Sequence, residues 1–305
     1  MSTSPSSATE IAALVAAARA AKKTIAVGPD LDLSRLASVL ELNETALLCT
    51  VQVGLTIGAF EEYLAEHGLT LGASMVAPTR TLGALLAAPR PDEASPRTGP
   101  LVGQCVAVGA VLADSTVIST RIAPRKAVGP DLMHAIIGSR GTLGILTDAT
   151  FRVLRRGDAR HQAAFTLPSV EAALAVARTL VVEGARPAEL LVTADPPSLF
   201  ITVEGTAALA ESERQLAASL CTSRGGTAVP HHAPRAIEGY QRAISLEKAL
   251  DERLSSSARV TGWHPRGAAL CDPTRKPEPP PLPPAWPAIK RALDGNSTFP
   301  DWPRS

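Results

Sequence analysis

Hydrophobic and polar positions alternate along the chain with two different periods, which predict a mixture of helices and strands. Leu14 and Val15 follow Ile11 by three and four positions, which predicts a helix over residues 10–22. The nearly continuous apolar run at 46–54 predicts a buried strand. The other elements predicted in this part of the chain are a strand at 24–27, a helix that starts at the capping residue Thr56 and ends near Gly68, two strands within 105–120, a short helix over 131–139 and a strand over 143–156.

The pattern changes after residue 157 and predicts a second, smaller domain. The run at 163–167 reads as a strand, and Ser169 is placed to cap a helix that Gly184 ends. A strand pair within 188–205 and a helix over 207–221 follow. This β-α-β-β-α order predicts a small α+β layer, with helices on one face of an antiparallel sheet.

The C-terminal part of the chain is weakly patterned. One helix is predicted over 235–252, and the proline-rich segment "DPTRKPEPPPLPPAWP" predicts an extended connector. A short last helix, "AIKRALDG", precedes the tail. The predicted organisation is therefore a first domain over 1–157, an α+β domain over 158–270, a connector over 271–287 and a C-terminal segment over 288–305.

Composition and charge exclude several classes of partner and site. The formal net charge of +1 gives no electrostatic reason to expect nucleic acid or an anionic membrane as a partner. The four cysteines are far apart and form no C-x-x-C pair, so we predict buried thiols and no metal site. The N-terminus does not resemble a signal peptide, and no apolar run is long enough to span a membrane. The sequence therefore predicts a cytoplasmic protein without a membrane span.

The segment "GSRGTLG" at 138–144 raises the first question of chemistry. Glycines spaced in this way allow backbone amides to approach a phosphate, but they also suit plain turns. Four further segments precede this one in a fixed order: "VQVGLTIGAFEEYLAEHGLTLG", "TLGALLA", "SPRTG" and "VLADSTVI". Together the five segments resemble the FAD-linked oxidase family, whose flavin domain is of the vanillyl-alcohol oxidase and p-cresol methylhydroxylase type. The nearest resemblance is to the FAD-binding subunits of bacterial glycolate oxidase.

This resemblance implies an α+β fold, a cofactor and a set of binding residues. The family's flavin domain consists of two α+β subdomains that clamp FAD, and a ferredoxin-like α+β cap domain covers the flavin ring. The C-terminal segment returns to the flavin domain in this family. The residues implied to bind the cofactor are Val27, Gly28, Thr81, Leu82, Gly83, Ala84, Ser95, Arg97, Gly99, Gly138, Ser139, Gly141, Thr142, Gly144 and Ile145.

The chain departs from the family pattern at the loop that wraps the diphosphate. The family has a glycine-rich loop after its first strand, whereas this chain has only "VGPD" at 27–30. Pro29 has no N–H to donate, and Asp30 brings negative charge to the place of a diphosphate. Ala84 also stands where the family has a second glycine. Because no histidine precedes His67, the resemblance implies a noncovalent flavin.

Three functions are consistent with these residues. The first is a noncovalent FAD-dependent oxidoreductase related to glycolate or 2-hydroxy-acid oxidases, with a small-molecule substrate and with flavoprotein and iron–sulfur subunits as partners. The second is a flavin-free relative that keeps the fold as an interaction or scaffold subunit. The third is a protein that binds another nucleotide or a sugar phosphate. No catalytic residue is assigned, because the histidines after residue 158 match no family motif.

Overall fold

A five-stranded antiparallel sheet organises the first part of the chain. The computed structural model describes residues 2–73, 76–90, 93–122, 131–231, 240–244, 259–264, 267–272 and 282–302. The elements of the first part are α1 (Ala8–Ala20), β1 (Val39–Asn43), β2 (Leu48–Gln52), α2 (Ile57–Glu66), β3 (Leu69–Thr70), α3 (Leu82–Ala87), β4 (Cys105–Val111), β5 (Val117–Ser119), α4 (Leu132–Ile136), β6 (Ile145–Arg152) and β7 (Leu154–Arg155), with 3-10 turns at Leu33–Arg35 and Leu101–Gln104. The sheet has the order β1-β2-β6-β4-β5, and β3 pairs separately with β7.

Local capping explains why the predicted helices of this part form where they do. The Ser7 side chain accepts the Glu10 amide at the start of α1, and Thr56 accepts the Ala59 amide at the start of α2. Gly68 follows α2 with φ +67°, the left-handed conformation that glycine adopts without strain. These helices are confirmed within a few residues of the predicted bounds.

The strand predicted at 24–27 is wrong. Only Val27 pairs, in an isolated bridge to Leu31, because the chain turns back immediately. The amides of Asp30 and Leu31 both donate to the Ala26 carbonyl, each at 3.1 Å, so that turn replaces the extended conformation.

The second part of the chain forms a larger sheet than the sequence predicted. Its elements are β8 (Ala159–Thr166), α5 (Val170–Val182), β9 (Glu189–Ala194), β10 (Pro197–Gly205), α6 (Ala207–Ser223), β11 (Thr227–Val229), β12 (Tyr240–Ile244), β13 (Arg259–His264) and β14 (Gly267–Asp272). They give an antiparallel seven-stranded sheet with the order β11-β8-β10-β9-β13-β14-β12. The helices α5 and α6 contact each other and the sheet, as the β-α-β-β-α pattern predicted. The predicted α+β fold class is thereby confirmed.

The helix predicted over 235–252 is wrong where the structure describes it. Tyr240–Ile244 is a strand that pairs antiparallel with β14, from Tyr240 opposite Asp272 to Ile244 opposite Ala268. The rest of that range lies outside the described residues. Pairing with β14 determines the conformation of Tyr240–Ile244, and the sequence of this segment alone does not indicate that pairing.

Each sheet has its own hydrophobic core. In the first part, Phe60 of α2 packs on Phe151 of β6 with ring centroids 6.1 Å apart. In the second part, the buried faces of α5 and α6 cover β8, β9 and β10, with Leu174, Leu180 and Ala217 almost completely buried. A smaller third core joins Ile11 of α1 with residues from both ends of the chain. Two cores of this kind agree with two folding units.

The C-terminal segment packs against the first unit. The helix α7 (Trp286–Leu293) begins shortly after the proline-rich connector, most of which lies outside the described residues. After α7, Phe299 enters the third core, and the Ile25 amide donates to the Thr298 carbonyl at 2.8 Å. Both ends of the chain therefore meet on the same unit.

A buried lysine fixes this segment in place. The Lys290 ammonium donates to the Asp294 carboxylate at 2.6 Å and to the carbonyls of Thr142, Phe299 and Pro300 at 2.8, 3.0 and 3.2 Å. The Asp294 carboxylate in turn accepts the amides of Thr298 and Phe299. A buried charge is tolerated only when it is paired and hydrogen-bonded, and both groups here meet that condition.

The described cysteines are buried thiols, as predicted. Cys49, Cys105 and Cys221 are buried and form no disulfide bond. Burial raises the pKa of Cys49 to about 11, with a further contribution from the Glu41 charge, and burial raises the pKa of Cys221 to about 12. These thiols stay protonated at neutral pH and behave as small apolar groups. Among the described residues, no helix has the length and apolar character needed to cross a lipid bilayer, and a cytoplasmic location stays a prediction.

Replacing Lys290 with methionine is expected to lower the free energy of unfolding by about 3–5 kcal/mol, because Asp294 would keep a buried charge without its cation. Urea denaturation followed by circular dichroism measures this change. The matched control is Lys23→Met, since Lys23 is exposed and is expected to change stability by less than about 0.5 kcal/mol. Equal stabilities of the two variants would contradict the role assigned to Lys290.

Candidate functional site

A cavity of 640 Å³ lies in the first unit, where three turns of the chain meet. Its volume is within the range of about 300–1,000 Å³ that is usual for small-molecule sites. Eight of the residues implied by the family resemblance line it: Val27, Gly28, Thr81, Gly83, Ala84, Gly141, Gly144 and Ile145. The structure therefore brings together residues from three separate motifs.

The first wall is the turn at 26–31, and it uses its own hydrogen-bonding groups. The Gly28 amide donates to the Leu31 carbonyl at 2.8 Å, and the amides of Asp30 and Leu31 donate to the Ala26 carbonyl. The Asp30 carboxylate accepts the Ala26 amide at 2.9 Å, so its charge is directed at this turn. Because Pro29 has no N–H, the amides of residues 28–31 offer no free donor to a ligand.

The second wall is the start of α3. The Thr81 side chain caps the helix by accepting the Ala84 amide at 3.2 Å, while the amides of Leu82 and Gly83 donate to the carbonyls of Leu55 and Val53. A Cβ on Gly83 would lie 3.1 Å from the Val53 carbonyl oxygen, a tight contact that glycine avoids. The Leu82 side chain is fully buried in the core behind the wall and does not line the cavity.

The third wall is the turn from 138 to 145. Gly138, Arg140 and Gly141 all have positive φ, at +78°, +56° and +75°. The amides of Gly138 and Arg140 donate to the carbonyls of Leu86 and Ala87 at 2.8 and 2.9 Å, which ties this turn to the end of α3. The second and third walls are therefore one connected structure.

Three predicted residues of this turn, Gly138, Ser139 and Thr142, do not line the cavity. The Thr142 hydroxyl donates to the Ser139 carbonyl at 2.6 Å and accepts the Trp286 indole N–H at 3.1 Å. Together with the Lys290 contact, these bonds give Thr142 a structural role. The Ser139 hydroxyl is buried and has no hydrogen-bond partner among the described residues, a state that costs about 1–3 kcal/mol.

The structure places the predicted segment "SPRTG" away from the cavity. Ser95 is buried, and its hydroxyl lies 2.9 Å from that of Thr98. Arg97 forms an ion pair with Glu204 of β10 and donates to the Arg155 carbonyl at 3.2 Å. Gly99 closes the turn by exchanging hydrogen bonds with Ser95. This segment joins the two units and does not form part of the cavity wall.

A second cleft of 330 Å³ lies at the boundary between the two units. The first unit contributes residues of α2, β3 and the following loop, and the second contributes residues of β8, β9 and β10. The charged residues of its lining are Glu61, Arg156, Arg160, Glu189 and Glu204. Arg160 pairs with Glu189 at 3.1 Å, whereas the Arg156 side chain is exposed and makes no ion pair with any described residue.

Several residues of the cavity were not predicted from the sequence. A Cβ on Gly54 would lie 2.0 Å from the Leu33 carbonyl oxygen, so only glycine allows the two backbones to meet there. Gly54 belongs to the quoted segment "VQVG", which is the signal that could have identified it. Arg80 and Arg140 also line the cavity, and each lies within or next to a quoted motif at a position that the family pattern leaves unassigned.

The charged residues of the cavity differ in how they are paired. Arg80 lies 2.9 Å from the buried Glu93 carboxylate and donates to the carbonyls of Ala84 and Ala88. Asp32 has its pKa lowered because the Ser34 amide and hydroxyl donate to its carboxylate. Arg140 makes no ion pair with any residue that the structure describes.

These observations fit a ligand that has a large apolar part and an anionic group. The lining is mainly apolar, the glycines at 54 and 83 allow the wall segments to pack closely, and Arg140 is left without a counterion among the described residues. Within the described part of the chain, no three His, Cys, Asp or Glu side chains converge as a metal-binding group.

Comparison with known proteins identifies the type of domain. Residues 30–121 match the family described as FAD binding domain. This part of the chain is therefore similar to an FAD-binding domain. This match and the FAD-linked relatives support FAD as the cofactor, as predicted. The matched region starts after the turn residues Val27 and Gly28 and ends before the turn at 138–145.

The relatives include an FAD-linked oxidoreductase and D-lactate dehydrogenases. The FAD-linked oxidoreductase YgcU of Escherichia coli (strain K12) is 30% identical over 159 residues, which are 52% of this chain and 33% of YgcU. The mitochondrial D-lactate dehydrogenase (cytochrome) of Kluyveromyces lactis is 32% identical over 156 residues, which are 50% of this chain and 27% of that enzyme. The matched residues thus span about a third or less of these curated relatives. The predicted closeness to glycolate oxidase subunits stays a prediction.

A solved structure of alkyldihydroxyacetonephosphate synthase has the same fold. It superposes with a TM-score of 0.74 at 14% identity and covers 97% of this chain and 76% of its own. At this identity the likeness establishes the fold alone. These comparisons give no support to the flavin-free alternative.

The close contact at Gly54 predicts a strong effect of a single methyl group. Gly54→Ala is expected to lower the free energy of unfolding by about 2 kcal/mol, because the new Cβ would overlap the Leu33 carbonyl. Thermal or urea denaturation measures the loss. Gly103→Ala is the control, since its Cβ would meet no atom within 4 Å. If both substitutions are tolerated equally, the close contact does not hold this wall in place.

Proposed function

We propose that this chain binds FAD noncovalently in the 640 Å³ cavity and takes part in the oxidation of a small 2-hydroxy acid at the neighbouring cleft. The observation that carries the proposal is the convergence of three family motifs on one largely apolar cavity within an FAD-binding-type fold. The name of the D-lactate dehydrogenase relative supports the class of substrate.

The residues of the cavity have distinct parts in holding the cofactor. Gly54 and Gly83 allow the backbone segments of the walls to pack closely on each other, and the apolar side chains of the lining exclude water from the ligand. None of the described lining residues is a histidine or cysteine, which supports noncovalent attachment. A bound flavin supplies the electron acceptor, and the protein supplies binding, orientation and local electrostatics.

The cleft between the units is the candidate site for the substrate. Oxidation of a 2-hydroxy acid to a 2-oxo acid removes two electrons and two protons, and the carboxylate of the substrate takes no part. Arg156 is the candidate that binds this carboxylate, because its side chain lines the cleft without a protein counterion, whereas Arg160 already pairs with Glu189. The other predicted partners, a flavoprotein and an iron–sulfur subunit, stay predictions. The described cysteines lie apart in the sequence, so an iron–sulfur acceptor would need ligands from outside the described residues.

Purification in the presence of FAD is expected to yield a yellow protein whose flavin dissociates on denaturation. Anaerobic addition of D-lactate or glycolate is then expected to bleach the oxidised flavin spectrum, with L-lactate as the stereochemical control. Protein without flavin absorbance and without a thermal shift on addition of FAD would refute the proposal and favour a scaffold role. Flavin that binds but is not bleached by any 2-hydroxy acid would refute only the class of substrate.

Arg156→Gln is expected to raise KM for the hydroxy acid by about 10- to 100-fold, because a charge-assisted hydrogen bond to the substrate is lost. The flavin content is expected to stay the same. Arg152→Gln is the control, since Arg152 is exposed at the end of β6 and does not line the cleft. Steady-state kinetics with an artificial electron acceptor measures both variants. An unchanged KM in Arg156→Gln would show that Arg156 does not bind the carboxylate of the substrate.

A further inference from the structure

Of the three charged side chains that line the cavity, Arg140 and Asp32 have no ion-pair partner among the described residues. Arg80 faces the Glu93 carboxylate at 2.9 Å, so its charge is compensated within the protein. The Asp32 carboxylate is held by the amide and hydroxyl of Ser34, and the hydroxyl of Ser4 lies 3.3 Å away. Arg140 has no carboxylate partner among the described residues. Among the described lining residues, Arg140 is therefore the cation without a paired carboxylate, and Asp32 keeps its negative charge.

The backbone holds Arg140 in an uncommon conformation. Its φ of +56° lies in the left-handed region, which a residue with a side chain adopts at a cost. The hydrogen bond from the Arg140 amide to the Ala87 carbonyl keeps it there, and Gly138 and Gly141 supply the same left-handed geometry on both sides. A glycine would satisfy this backbone with less strain, so the backbone alone does not explain an arginine at this position.

The wall formed by the turn at 26–31 supplies no positive charge and no free amide donor for an anion. The amides of Gly28, Asp30 and Leu31 are used within the turn, and Pro29 has none. The amides of Leu82, Gly83 and Ala84 in the α3 wall are used as well. The amides of these two walls are therefore not available to an anion, which leaves the third wall, where Arg140 lies, to bind it.

We propose that Arg140 binds the diphosphate of FAD and replaces the backbone amides that the short turn at 26–31 cannot offer. This inference rests on the proposed function. A guanidinium presents several N–H donors in one plane, which matches two phosphate oxygens, and its charge does not depend on pH in the physiological range. In this proposal the turn at 138–145, and not the turn at 26–31, binds the anion.

Arg140→Gln is expected to raise the dissociation constant of FAD by about 10- to 100-fold, because charge-assisted hydrogen bonds to the diphosphate are lost. Arg140→Lys keeps the charge and is expected to lose less than about tenfold. Quenching of flavin fluorescence measures the constants for FAD and riboflavin, and competition measures that for ADP. Binding of riboflavin, which has no phosphate, is expected to be the same in all variants.

Arg140→Gly separates a ligand contact from a structural role. It relieves the left-handed strain, so the cofactor-free protein is expected to keep or raise its Tm while losing affinity for FAD and ADP. Arg224→Gln, an exposed arginine after α6, is the control and is expected to leave both properties unchanged. A more stable protein that binds FAD less tightly is a result that a purely structural arginine would not give.

The outcomes distinguish the two proposals. If the unaltered protein binds no FAD, the proposed function fails and this inference fails with it. If it binds FAD and Arg140→Gln binds FAD and ADP equally well, only the assignment of Arg140 is overturned. An unchanged affinity for FAD together with a raised KM for the hydroxy acid would assign Arg140 to the substrate and also overturn the inference.

Discussion

The rest of the first unit depends on the hydrogen bonds made by the buried ammonium of Lys290. A charge in that position needs compensation from every side, and it receives one carboxylate and three carbonyl groups. One of these carbonyls belongs to Thr142, in the turn that forms a wall of the cavity. The others belong to the last described residues of the chain, which pack against its N-terminal part. A residue near the end of the sequence thus fixes the position of a turn almost 150 residues earlier.

Elements with complete local signals were predictable from the sequence. The helices α1, α2 and α5 each carry a capping side chain, and α2 and α5 end near a glycine with positive φ. The two wrong elements have no such signals. The turn after Ala26 replaces a strand because hydrogen bonds within it outweigh the propensity of a short apolar run. β12 is a strand because β14 lies beside it, and the local sequence cannot encode that pairing.

The candidate site was predictable to the extent that motifs determine backbone position. Residues such as Gly83, Gly141 and Gly144 line the cavity because their segments turn there. Arg97 does not, because its charge pairs with Glu204 of the other unit, a partner that appears only once the chain has folded. Arg140 stands at the variable position of its motif, so its importance depends on the pairing of the neighbouring charges. The need for glycine at position 54 likewise arises from a contact with a different turn.

The turn at 26–31 has a consequence for how the protein acquires its ligand. Because its donors and acceptors are already matched, this wall does not depend on a bound molecule to become ordered. The cavity is therefore a preorganised receptor, and association costs little rearrangement of the chain on that side. Such an apoprotein is suited to reconstitution with synthetic isoalloxazine analogues. Exchange of one analogue for another would require only that the ligands diffuse out of and into the cavity, without refolding of the chain.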